Sequence, residues 1–144
     1  MMQKTNESEP TRRIGARPQS SCFACGPDNA RGLRLRFEKN RIGEMIAEWI
    51  PEASTEGFDG IVHGGIVSTV LDEAMAKAVV AGEVEALTAE LRVRFRRHVA
   101  SGSKVQIRGW IDSRNRRVIK TEAALTGADG AELAHAWASF LALK

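Results

Sequence analysis

From Ile66 to Val79 the apolar residues Ile66, Val67, Val70, Leu71, Ala74, Met75, Ala78 and Val79 return at spacings of three and four. That period is the stripe of a helix with a buried side. It is the one strong helical signal in the chain, and Gly82 is its expected end. The helix opens on "HGG", so its first turn holds Gly64 and Gly65, each about 1 kcal/mol worse than alanine as a helix former. Two consecutive acids, Asp72 and Glu73, stand in its middle. A charge on so apolar a helix is costly unless something uses it.

The rest of the sequence alternates. "GLRLRFE" sets Leu33, Leu35 and Phe37 against Arg34 and Arg36, and "EMIAEWI" reads as its antiparallel neighbour after a bend near Asn40 to Gly43. Beyond the helix, "TAELRVRFRRH" sets Leu91, Val93 and Phe95 against Arg92, Arg94 and Arg96, and "KVQIRGWID" sets Val105 and Ile107 against Gln106 and Arg108. This is the period of half-buried strands. Turn signals at Ser101-Gly102, Ser113 to Arg116 and Asp129-Gly130 mark expected hairpins. In the last strand Ala134, Ala136 and Ala138 share one face, where a helix could lie close. The order is two strands, a helix, then four strands. That predicts an α+β fold, an antiparallel sheet of about six strands with one long helix on a face. Such an apolar helix calls for cover on more than one side, so part of its surface is expected to meet another subunit.

A chain of 144 residues, 43% hydrophobic and 27% charged, fits one domain with a real core. Residues 1–20 are polar and aperiodic, the composition of a disordered arm, which leaves residues 21–144 as the domain. Neither a signal peptide nor a stretch of roughly 18 apolar residues is visible, so a cytoplasmic protein with no membrane partner is expected. A net charge of +3 favours anionic partners mildly. The arginines around Arg92 to Arg97 could hold phosphates, Arg94 and Arg97 foremost. A nucleic-acid role for the same stripe is disfavoured, because aromatic stacking platforms are missing from it. The two cysteines, Cys22 and Cys25, form a single CxxC in "SCFACGPDN". Structural zinc takes four ligands, so the pair reads as a reduced turn unless a second subunit completes a metal set.

"HGG" followed by "LDEA", with the entrance "CFACGPDNARGLRLRF" and the strands "LTAELRVRFRRHV…GSKVQIRGW", resembles the hotdog-fold thioesterases. The likeness is to their PaaI-like branch, related to 4-hydroxybenzoyl-CoA thioesterase. The resemblance implies a sheet wrapped around one helix, and dimers joined sheet edge to sheet edge, often paired into tetramers. It also implies hydrolysis of acyl-CoA or acyl-carrier-protein thioesters with no metal and no cofactor. It places the catalytic acid at Asp72, the oxyanion-binding amide at Gly64 and an orienting hydroxyl at Thr88. Two positions depart from the family pattern. Gly57 stands where many members carry a water-holding asparagine, and His98 where a proline is common.

Chemistry argued from the residues agrees in part. Amides at a helix N-terminus can stabilise the oxyanion of a thioester under attack, and glycine lets the substrate approach. Gly64 and Gly65 would supply them, with His63 beside them as participant or as brace. Asp72 would act as general base on water or as nucleophile. Glu73, about 100° round the helix, is the reserve acid and a residue that could meet the substrate. Gly64 and Asp72 lie eight residues apart, about 12 Å along one helix, too far to share one carbonyl. Two antiparallel copies of the helix across a two-fold axis would bring them together. Met75, Trp49, Phe58 and Trp110 are the side chains expected to set acyl depth. The rival readings are a non-catalytic acyl-thioester binder, favoured by Gly57, and a hotdog dehydratase, whose Asp and His pairing is not evident.

Overall fold

The computed structural model describes residues 21–144; the arm expected over residues 1–20 lies outside them. Six strands and one long helix follow in order. They are β1 (Glu38–Lys39), β2 (Met45–Trp49), α1 (Gly64–Ala81), β3 (Ala86–Phe95), β4 (Val105–Asn115), β5 (Val118–Thr126) and β6 (Glu132–Ala142), with one 3-10 turn (Ala53–Thr55) before α1. The strands form a single antiparallel sheet in the order β1-β2-β4-β5-β6-β3. Because β2 and β3 lie towards opposite edges, the helix between them must cross the sheet. It buries Val67, Val70, Leu71, Ala74, Met75, Ala78 and Val79 against Ile107, Ile119, Leu125 and Phe140 of β4 to β6. The predicted stripe and the end at Gly82 hold, as does the α+β sheet.

The expected alanine face is there, with Ala134 and Ala136 fully buried. The tightest approach lies elsewhere. At Gly109 on β4 an added Cβ would land on the carbonyl of Ala74 in α1, so this strand must be bare for the helix to seat.

Three expectations change. "GLRLRFE" keeps its alternation in burial, with Leu35 buried and its arginines exposed, but only Glu38 and Lys39 pair as strand. Arg34 has φ of 53°, which breaks an extended run. Ser101-Gly102 turns the chain without making a hairpin, since β3 pairs with β6 while β4 pairs with β2 and β5. And β3 does not alternate strictly: a bulge falls between Thr88 and Glu90. Thr88 pairs with buried Phe140, Glu90 with Ser139, and Leu91 with Ala138. The extra residue, Ala89, puts both Thr88 and the Leu91, Val93, Phe95 set on the helix side. Strict alternation would have left Thr88 with the arginines.

Candidate active site

His63 is the N-cap of α1 and consumes most of the helix's free amides. The first four N–H groups of a helix have no partner within it. Here the His63 carbonyl accepts from Ile66 and Val67 at 2.9 and 3.1 Å, and His63 Nδ1 accepts from Gly65 at 2.8 Å. Only the Gly64 N–H has no acceptor among the described residues. Of the two glycines expected to polarise a carbonyl, Gly64 keeps its amide open and Gly65 spends its own on the cap. His63 is thus the residue that leaves one amide exposed at the positive end of the helix. Its own position is pinned, since its N–H donates to Thr55 at 2.8 Å while that of Val62 donates to Val99 at 2.8 Å.

Gly64 opens into a cleft of about 460 Å³ bordered by Phe58, His63, Phe95, Arg96, Arg97 and His98. Gly57 also lines it. A Cβ on Gly57 would come within 3.2 Å of the His63 ring, so an asparagine could stand there only if His63 shifted. Of the side chains expected to set acyl depth, only Phe58 borders this cleft. Trp49 and Met75 are buried in the core, and Trp110 sits on the outer face of the sheet beside His135, ring centroids 5.9 Å apart.

Further along α1, Asp72 is half-buried, and Thr88 Oγ1 donates to its Oδ1 at 2.8 Å. Burial raises the Asp72 pKa above the usual carboxylate range; the Thr88 hydrogen bond opposes this, and the nearby Glu73 charge adds to it. A carboxylate held at one oxygen by a hydroxyl and poorly solvated is a stronger base than a free one. The structure therefore joins Asp72 to Thr88 and His63 to Gly64 and Gly65. Gly64 and Asp72 sit in one continuous helix, about 12 Å apart along it.

The other candidates divide. Arg97 borders the cleft, whereas Arg94 pairs in register with His135 and shares the outer face with Arg92, which stacks 4.6 Å over Trp137. Arg94 is therefore not beside Gly64. The aromatic neighbour of Arg92 is not legible along one strand, because Trp137 comes from β6. Arg96, unremarked as a cleft residue, borders it too and is paired to Glu132 at 3.2 Å. Glu73 does not border the cleft. It faces the N-terminal turn, where a carboxylate oxygen lies within 4.8 Å of both cysteine sulfurs, with Lys77 Nζ 3.8 Å from its carboxylate. Burial, with that carboxylate alongside, pushes the Cys25 thiol up to about 12.

The sequence matches the model of the thioesterase superfamily over residues 59–134, which contain both halves of the site. No curated protein matches it. Among solved structures, a thioesterase superfamily protein superposes with a TM-score of 0.82 at 24% identity, over 85% of this chain and 60% of that one. This chain thus spans less than two thirds of that protein's length. A Streptococcus mutans protein bound to acetyl CoA gives a TM-score of 0.68 at 17% identity, over 76% of this chain and 88% of its own. The PaaI protein from the phenylacetic acid degradation operon of E. coli gives 0.70 at 14%, over 76% and 83%. These likenesses establish the hotdog fold. With more than half of its residues inside the family match, the chain belongs to the thioesterase superfamily.

Proposed function

We propose that the protein hydrolyses an acyl-CoA or acyl-carrier-protein thioester, in sites shared between two protomers. The observation that carries this is the Gly64 amide, the one of the helix's first amides without an acceptor among the described residues, opening into a cleft at a helix N-terminus. Such a donor suits an oxygen that becomes negative as its carbonyl is attacked. Asp72 from the partner's helix would supply the attack. As general base it takes a proton from water while the oxygen of that water bonds to the acyl carbon. The C–S bond then breaks, and the thiolate leaves and recovers a proton. As nucleophile it gives a mixed anhydride that water opens to the same products. Thr88 orients the carboxylate in either case, and Arg97 with His98 at the rim offers charge and donors to phosphates. The acetyl CoA bound by the Streptococcus mutans relative supports a CoA-type substrate, and such a substrate suits a cytoplasmic setting. No helix among the described residues is long and apolar enough to cross a membrane.

The dimer would form through β3. This edge strand runs for 10 residues, is paired on one side to β6 alone, and leaves Leu87, Leu91 and Phe95 at 51%, 37% and 53% exposure. A long apolar edge of that kind is covered in stable proteins. Leu91→Arg is expected to shift the protein to monomer in light scattering and to reduce turnover at least about tenfold, with folding retained, because edge charges block pairing. Monomers with full activity would remove the shared site.

Gly64→Pro isolates the amide. Proline suits the first helical position, and His63, with φ −58° and ψ 133°, has the extended backbone a following proline requires. The variant should fold and lose about 10²- to 10³-fold in kcat, the usual value of one oxyanion donor. Unchanged kcat would show that this amide is not used. The reaction itself is tested by free-thiol release across aromatic, short-chain and medium-chain acyl-CoAs and an acylated carrier protein. Saturable turnover of one class is expected. Gly57, without a side chain to hold water, favours a second reading, a binder that takes up acyl-CoA with no turnover, and the same assay separates the two.

A further inference from the structure

One group of reactive side chains lies outside the cleft and is unused by the chemistry above. Cys22 and Cys25 sit in a turn closed by Gly26 N–H donating to the Cys22 carbonyl at 2.8 Å. The turn is fastened to the next segment: Leu33 donates to Phe23 and Leu35 to Ala24, at 2.8 and 2.9 Å. Gly32 permits this approach, since a Cβ there would lie 2.5 Å from the Phe23 carbonyl. Glu73 reaches the turn from the third turn of α1, its side chain only 15% exposed. Both sulfurs and a Glu73 carboxylate oxygen fall within 4.8 Å of one another.

Read along the sequence, CxxC is half a zinc site. The fold supplies a third donor from a helix nearly fifty residues away. We propose that Cys22, Cys25 and Glu73 form a binding site for a zinc-class divalent cation, clipping the N-terminal turn to α1 and leaving a fourth position for water.

The donor set selects the ion. Thiolate sulfur suits zinc and its soft or borderline neighbours, whereas calcium and magnesium take oxygen. Zinc bonds of about 2.3 Å to sulfur and 2.0–2.2 Å to carboxylate give tetrahedral edges of roughly 3.5–3.8 Å. Closing the observed group to that size takes about an ångström, within reach of side-chain rotation. On binding, each thiol releases its proton to solvent as its sulfur takes the metal. Two thiolates and a carboxylate then carry three negative charges against two positive, and Lys77, 3.8 Å from Glu73, supplies the third positive charge. None of the three donors borders the cleft at Gly64, and Glu73 leaves the helix about 100° round from Asp72, so the role of the site is to fix the turn against the helix and not to handle substrate.

The test uses the reduced full-length chain, stripped by a chelator and titrated with cobalt(II), then zinc. One cobalt per chain is expected, with a sulfur-to-cobalt charge-transfer band that zinc displaces, and with zinc raising the melting temperature. Cys22→Ser and Cys25→Ser should each abolish the band. Glu73→Gln should weaken binding by more than about tenfold, the lower range for loss of even an outer-sphere partner. Circular dichroism of the variants, with Cys25→Ala as a second replacement, shows whether each is folded. No band at stoichiometric cobalt overturns the site. So does one cobalt per two chains, binding indifferent to Glu73→Gln, or a Cys22–Cys25 disulfide forming as fast with zinc as without it.

Discussion

Asp72→Asn is expected to lower kcat on the best acyl-CoA by about 10²- to 10⁴-fold, the contribution of a positioned base or nucleophile, with KM little changed. The replacement keeps the shape and can still accept from Thr88, whose hydroxyl lies 2.8 Å from Oδ1, so folding should be intact. Because burial raises the carboxyl pKa, wild-type activity, which needs the ionised form, should fall as pH drops through a value above the ordinary carboxylate range. In Asp72→Asn that acidic limb should vanish. Mixing supplies the stricter check. A heterodimer of Asp72→Asn and Gly64→Pro chains holds one intact site, made of Gly64 from the first and Asp72 from the second, and one site with both lesions. An equimolar mixture allowed to exchange should recover about a quarter of wild-type activity. Recovery at background level would mean that the two groups never act on one bond.

Gly109→Ala carries the largest expected effect on stability. The new Cβ would stand 2.9 Å from the Cβ of Ala74 and closer still to that residue's carbonyl. Neither is the end of a flexible side chain, so the helix or the strand must move. Overpacking of this kind costs about 3 kcal/mol, a large part of the 5–15 kcal/mol typical of a domain, and should lower Tm by about 10 °C. Since Ala74 follows Asp72 by two residues on α1, the shift should also pull the carboxylate from Thr88 and reduce kcat. Thermal melting beside a turnover assay reads both. An unchanged Tm would mean that α1 seats elsewhere.

The helix was legible because its stripe runs over four turns with one period, and the later strands because their alternation is long. Leu33 to Phe37 carries a strand's alternation in burial without a partner strand; pairing is a tertiary fact that one segment does not record. His63 was named from its place before two glycines. That its ring would take the Gly65 amide, and so leave Gly64 alone, depends on a rotamer that sequence does not state. Glu73 is a related case. Angular separation from Asp72 showed where it does not point, but only the folded turn of Cys22 to Gly26 shows where it does. Gly109 passed unnoticed among strand residues, because a missing side chain leaves no period behind.

The irregularity at Ala89 divides β3 into two segments that are out of phase. Upstream of it the strand serves the carboxylate through Thr88; downstream it covers α1 with Leu91, Val93 and Phe95 and sends Arg92 to the far side of the sheet. A single inserted residue thus lets one strand obey two faces. Chimeras joined before or after this point should behave differently from those joined through it, and a one-residue deletion there would misdirect half a strand without changing any residue that touches a ligand.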